Sequence, residues 1–146
     1  MRPSDEGFEY LDEITTGDVA MVARGGSLDT LFQTAAKGLS ETMVETKGVR
    51  PNMAKEIILS ADGIDRLLHR WLSELVYLKD AECLLFSLFE VKVQLGSHHR
   101  LRGVAMGERI DRNRHHLRCD VKAVTYHRFQ VERVDHIWKA TMVFDI

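Results

Sequence analysis

The chain switches between two hydrophobic periods, one near 3.6 residues and one of 2, and the switches divide it into elements. SLDTLFQTAAKGLSETMVE places Leu28, Leu31, Phe32, Ala35, Ala36, Leu39 and Met43 at helical spacing behind Ser27, a good N-cap. This predicts a helix from Ser27 to about Glu45. GIDRLLHRWLSELVYLKD repeats the pattern through Ile64, Leu67, Leu68, Trp71, Leu72, Leu75 and Val76 and predicts a second helix from Gly63 to about Lys79. Asp62 is placed to cap it, and Asp65 falls in the first turn, where a carboxylate complements the helix dipole. A domain of this size needs both apolar stripes inside.

Most of the remaining chain has strand character. Phe8 to Leu11 is a weak segment, GDVAMVARG a short strand bounded by glycines, and KEIILSA another. In FEVKVQL the residues Phe89, Val91, Val93 and Leu95 alternate with Glu90, Lys92 and Gln94. LRGVAMGERI follows the break GSHHR, so these two segments predict a hairpin. DVKAVTYH, FQVERV and HIWKATMVFDI come last, the final two joined across Asp135-His136 as a second hairpin. No βαβ rhythm is present. The expected architecture is α+β, a two-layer sandwich in which a mostly antiparallel β-sheet carries two α-helices. Without repeats, low-complexity tracts or linkers, residues 1–146 read as one domain.

The closing strand raises a chemical question. Trp138, Ala140, Met142 and Phe144 share one parity, whereas Asp145 falls on the other with Thr141 and Val143. Asp145 is then either a solvated carboxylate on the outer face or, with the α-carboxylate of Ile146, one of two ligands presented together. Spacing alone favours solvation.

Composition narrows the classes of function. A hydrophobic fraction of 45%, a charged fraction of 29% and a net charge of −2 are ordinary for a globular protein and argue against a dedicated nucleic-acid binder. The two cysteines, Cys83 and Cys119, have no CxxC spacing, which points to a reducing, cytoplasmic setting. The acidic opening MRPSDEGFEYLDE does not read as a signal peptide, and no run approaches the roughly 18 apolar residues of a membrane span.

One segment, HHRLRGVAMGERIDRNRHHLR, holds six arginines and four histidines against one Glu and one Asp. It is either a contact strip for RNA or an acidic partner, or a solvated edge whose charges discourage strand pairing. The pairs His98-His99 and His115-His116 cannot chelate as strand neighbours, because adjacent side chains point to opposite faces. Cys83, between Glu82 and Leu84-Leu85, sits where a thiol is not activated. His127 after Tyr126 reads as a structural strand-end histidine. No P-loop, GxSxG elbow, HExxH or GxGxxG occurs.

DVKAVTYH, Asp120 to His127, resembles the E-V-K-A-[VI]-T-Y-H stretch of the archease family. YLDEITTGDVAMVARG resembles the family's opening strand pair, SLDTLFQTAAKGLSETMVE its first helix, and WLSELVYLKDAECLLFSLFEV its second helix and following strand. GERIDRNRHHL matches G-E-x-x-D-x-x-x-H-x-L, and the chain ends in Asp-Ile as the family does. The resemblance implies an accessory protein rather than an enzyme: an activator of an RtcB-type RNA ligase that promotes ligase guanylylation and turnover in tRNA splicing and RNA repair. A chaperone-like modulator of nucleic-acid-processing proteins is the runner-up, and a metal-dependent hydrolase comes last because no general base is identifiable.

The resemblance also implies a divalent cation, Ca²⁺ or Mg²⁺/Mn²⁺, held by Asp18 in GDVAM, by Asp145 and by Ile146 through its terminal carboxylate. A hard cation takes several oxygens, and distant carboxylates converge when first and last strands are neighbours. Under this reading Asp145 is a ligand. The chain departs from the family where D-H-T-A-D is replaced by Asp12-Glu13-Ile14-Thr15-Thr16-Gly17-Asp18, longer and without the histidine. Whether Asp12, Glu13, Lys122 or His127 adds to the site stays open.

Overall fold

The computed structural model describes residues 6–11 and 17–146. In chain order the elements are β1 (Gly7–Tyr10), β2 (Asp18–Gly25), α1 (Leu28–Met43), β3 (Met53–Ala61), α2 (Ile64–Glu82), β4 (Leu84–Gln94), β5 (His99–Arg109), β6 (Ala123–Val124), β7 (Gln130–Val134) and β8 (Ile137–Asp145), with a short 3-10 turn at Thr46–Gly48. All pairings between these strands are antiparallel.

The α+β class holds, with the strands divided between two sheets. One runs β1-β2-β8-β6, with β7 also on β8, and the other runs β3-β5-β4. The helices join them: α1 packs on β2 and β4, and α2 on β3, β5 and β6. Their apolar stripes meet in one core where Leu31, Phe32, Trp71 and Leu72 are fully buried with Met21, Met142 and Phe144. Burying a large side chain such as these contributes about 1.5–3 kcal/mol each. The Trp71 indole N–H donates to the Phe32 carbonyl at 3.1 Å, which satisfies its buried donor and ties the helices together. Gly38 lets α1 lie against β2, since a Cβ there would stand 2.2 Å from the Met21 sulfur.

Helix α1 is capped as expected: the Ser27 Oγ accepts from the Thr30 N–H at 3.1 Å. It ends at Met43 because Val44 turns away to form a bridge with Leu117. Helix α2 corrects one expectation. Its N-cap is Gly63, without a side-chain bond, and Asp62 instead faces the Nδ1 of His98 at 2.8 Å. The helix continues past Lys79 to Glu82 and stops at Cys83, a left-handed residue with φ 56°.

Both hairpins form as read. β4 and β5 pair over their length with a bulge at Ser87, and Val134 faces Ile137 across Asp135-His136. The positive φ of Asp135, 59°, suits this tight two-residue turn. DVKAVTYH shrinks to the two residues of β6. Its first part is held by the Lys79 ammonium, which donates to the Asp120 carboxylate and to the Val121 carbonyl, and its last part bends into a turn.

Candidate cation site and the segments around it

The register of β2 on β8 decides where the carboxylates go. Val19↔Phe144, Met21↔Met142 and Ala23↔Ala140 fall on the core face. The alternate pairs, Asp18↔Asp145, Ala20↔Val143, Val22↔Thr141 and Arg24↔Lys139, therefore share the opposite face. Directly opposed residues on one face have Cβ atoms about 4.5–5.5 Å apart, so the half-buried Asp18 and Asp145 are cross-strand neighbours on that face.

Three pieces of backbone converge here. The Ile146 N–H donates to the Gly17 carbonyl at 3.0 Å, and the Lys122 N–H donates to the Asp145 carbonyl at 2.7 Å. Ala123 of β6 is the residue paired with Asp145 on its other side. Ile146 is half-buried, its side chain packed against the main core. The two predicted aspartates and Ile146 are thus brought together at one end of the β2–β8 pair.

The like-charged pair at the other end shows how such a conflict is usually relieved. Arg24 and Lys139 oppose each other, but Glu9 of β1 binds Arg24 at 2.8 Å and Glu132 of β7 pairs with Lys139.

The donor chemistry fits a hard cation, since every group offered is an oxygen. Among the described residues no group of three or more His, Cys, Asp or Glu side chains is arranged to hold a metal. Two side chains are supplied by Asp18 and Asp145, so a further oxygen has to come from the main chain or from elsewhere. Asp12 and Glu13 lie outside the described residues. Lys122 is exposed beside the site, whereas His127 is carried away from it, because the chain runs from Ala123↔Asp145 to Val124↔Phe144 and onward.

The basic segment separates into committed and solvated arginines. Glu108, at the end of β5, accepts from the Arg114 guanidinium at 2.5 Å, the Arg50 N–H at 2.8 Å and the His115 Nε2 at 2.9 Å. The Arg114 bond first and the Arg50 N–H next, with His115 adding to them against the effect of desolvation, hold the Glu108 carboxyl at about 2 rather than 4.5. The Nδ1 of buried His115 accepts from the Asp111 N–H at 2.9 Å, so its Nε2 carries the proton donated to Glu108. Gly107 is required at the adjoining position, since a Cβ would stand 1.8 Å from the Leu85 carbonyl oxygen. GERIDRNRHHL is therefore a staple that folds the chain back after β5. Arg118 is likewise held by Glu41 at 2.9 Å, and Arg102 by Glu56 at 2.9 Å.

Two functional-looking groups escaped the sequence reading. Lys79 is buried at 7% exposure and bound by Asp120, Asp80 and the Val121 carbonyl. Its signal was available: Lys79 continues the buried stripe of Leu72, Leu75 and Val76. His69, buried on α2, stacks on Tyr126 across a distance in sequence that no period reveals. Among the described residues no helix is long and apolar enough to cross a membrane.

Comparison with known proteins gives a consistent picture. The model of the archease protein family (MTH1598/TM1083) matches residues 8–146. A protein archease of Sulfurisphaera tokodaii is 34% identical over 139 residues, covering 95% of this chain and 98% of its own. One of Methanothermobacter thermautotrophicus is 35% identical over 144 residues, covering 97% and 99%. The solution structure of Methanobacterium thermoautotrophicum protein 1598 superposes with a TM-score of 0.80 at 31% identity, covering 96% of this chain and 99% of that one. The crystal structure of a Thermotoga maritima archease, described as a possible chaperone, shares the fold with a TM-score of 0.63 at 20% identity, covering 90% and 93%.

Proposed function

The chain belongs to the archease family, and on that footing we propose that it is an accessory activator of an RtcB-type RNA ligase, dependent on a divalent cation held by Asp18, Asp145 and the Ile146 carboxylate. Promotion of ligase guanylylation and turnover is the role, in tRNA splicing or RNA repair.

The observation that carries the cation reading is the Asp18↔Asp145 pair. Like charges directly opposed across strands are destabilising, and a cation between them turns the repulsion into a cross-strand tie. A bound Ca²⁺ or Mg²⁺ supplies charge neutralisation here, not a reaction step. Asp18 and Asp145 furnish hard oxygens from two neighbouring strands, and the Gly17–Ile146 bond keeps the end of β8 against β2.

The test is multiple-turnover RNA ligation with and without this protein, paired with thermal unfolding with and without calcium. Stimulation that is lost on chelation supports both halves. Absence of any stimulation overturns the first, and an unfolding midpoint indifferent to every divalent cation overturns the second.

A chaperone-like reading has one observation in its favour. Ile58 and Leu88 are 68% and 45% exposed, and both lie on strands of the β3-β5-β4 sheet. Suppression of aggregation of an unrelated unfolded protein, without ligase stimulation, would support it instead.

A further inference from the structure

The segment after β6 displays one aromatic ring in a fixed pose. Tyr126 is 71% exposed, yet one face of its ring lies on the His69 imidazole at 3.8 Å between centroids and 11° between planes. His69 is itself immobilised. Its Nε2–H donates to the Val124 carbonyl at 2.7 Å, its Nδ1 faces the Ser73 hydroxyl at 3.4 Å, and Phe129 packs edge-on at 5.3 Å. The loop closes with the Phe129 N–H donating to the Tyr126 carbonyl at 3.2 Å. Arg128 completes that turn with φ 59°, a left-handed conformation that a non-glycine residue adopts at a cost.

A single exposed tyrosine needs no explanation. A tyrosine clamped on one face, in a turn with a left-handed arginine, is a pre-organised surface. With one face covered and 71% of the residue exposed, the opposite face is open to solvent.

The surroundings select the occupant. Arg66 lies one turn before His69 on α2, and Ser73 one turn after it. Exposed Arg70, one residue on from His69, commits one N–H to the Ser60 carbonyl of β3. Tyr77, 59% exposed, comes two turns beyond His69, about 12 Å along the axis. Of the acids along this stretch, Asp62 is taken up by His98, whereas Asp65 and Glu74 remain beside the two arginines. The strip thus interleaves arginines with open aromatic faces, the arrangement that binds single-stranded nucleic acid.

We propose that the open face of Tyr126 is a stacking platform for an unpaired base of single-stranded RNA, with Arg66 and Arg70 meeting the flanking phosphates. The choice of RNA over DNA rests on the ligase-accessory reading above; the stacking site itself does not.

The test uses the full chain alone with a fluorescently labelled, unstructured RNA oligonucleotide, read by anisotropy, with the same sequence as DNA and as duplex RNA for comparison. Wild type binds the unpaired RNA and prefers it to the duplex. Tyr126→Leu weakens binding at least about five-fold, the low end for loss of one base–aromatic stack, and Tyr126→Phe retains it. Arg66→Gln reduces the salt dependence. Thermal unfolding of the variants verifies the fold. Binding equal in wild type and Tyr126→Leu, or equal for duplex and single strand, overturns the proposal. If, in a separate ligation assay, Tyr126→Leu loses ligase stimulation while its RNA binding is unchanged, the proposal is likewise overturned and the face is a protein contact. Because no ligase is present in the binding assay, failure of the activator reading leaves this result independent, and preference for DNA would overturn only the choice of RNA.

Discussion

Replacing Asp145 by asparagine removes one of two opposed charges while keeping size and shape, and its effect should change sign with calcium. Asp18 and Asp145 face each other across β2 and β8. Two unit charges about 5 Å apart repel by about 0.8 kcal/mol at the dielectric constant of water and about 3 kcal/mol at an effective value near 20. Both side chains are half-buried, so roughly 1 kcal/mol is a fair figure after solvent screening. In chelator, Asp145→Asn should therefore unfold about 2–4 °C higher than wild type, given the shift per kcal/mol for a chain of this length. In calcium the order should reverse. A ligand at about one hundred times its Kd stabilises a folded protein by about 2.7 kcal/mol, or roughly 5–10 °C here, and the variant should lose most of that gain. The assay is thermal unfolding by circular dichroism of both proteins in chelator, calcium and magnesium. Identical midpoint shifts for wild type and Asp145→Asn on adding calcium would refute the reasoning, whatever the absolute values.

Three further outcomes follow from other parts of the molecule. The Glu108 carboxyl is held at about 2 rather than 4.5, so it contributes stability that is fully present above about pH 4.5 and is lost as pH falls toward 2. Unfolding of wild type and Glu108→Gln by denaturant should differ by about 1–3 kcal/mol at neutral pH and converge in acid; a constant difference would contradict this. Lys79→Ala strips the Val121 carbonyl of its donor and should cost about 1–3 kcal/mol by the same measurement, while an unchanged midpoint would mean water replaces the ammonium. Arg112→Glu should leave thermal unfolding nearly unchanged, whereas Arg114→Glu should lower it by breaking the Glu108 cluster. Equal effects would show that the cluster adds nothing beyond general surface charge.

The arginine contrast also shows what the sequence could and could not reveal. Read as a strip, Arg112 and Arg114 looked equivalent; the fold separates them because only Arg114 reaches back to Glu108 and to the Gly48 carbonyl. The helices and hairpins were legible because their burial follows a local period, and Ser27 caps α1 as its type suggests. Asp62 misled because its position before α2 suits a cap, but His98 on the facing β4–β5 hairpin competes for its carboxylate. β6 came out short because Lys79 and the Tyr126–Phe129 turn, both non-local to its own pattern, draw the flanking residues away. At the candidate site the parity of β8 placed Asp145 off the core face, as found. Its opposition to Asp18 depends on which strand pairs with β8 and in what register, and neither is encoded in any local period.

The most direct measurement is multiple-turnover ligation by an RtcB-type RNA ligase, in calcium or magnesium, with wild type, Asp145→Ala or no added protein. The account predicts that wild type raises the number of turnovers per ligase and that Asp145→Ala, verified as folded, falls to the level without added protein. Ligation that proceeds equally in all three would contradict it.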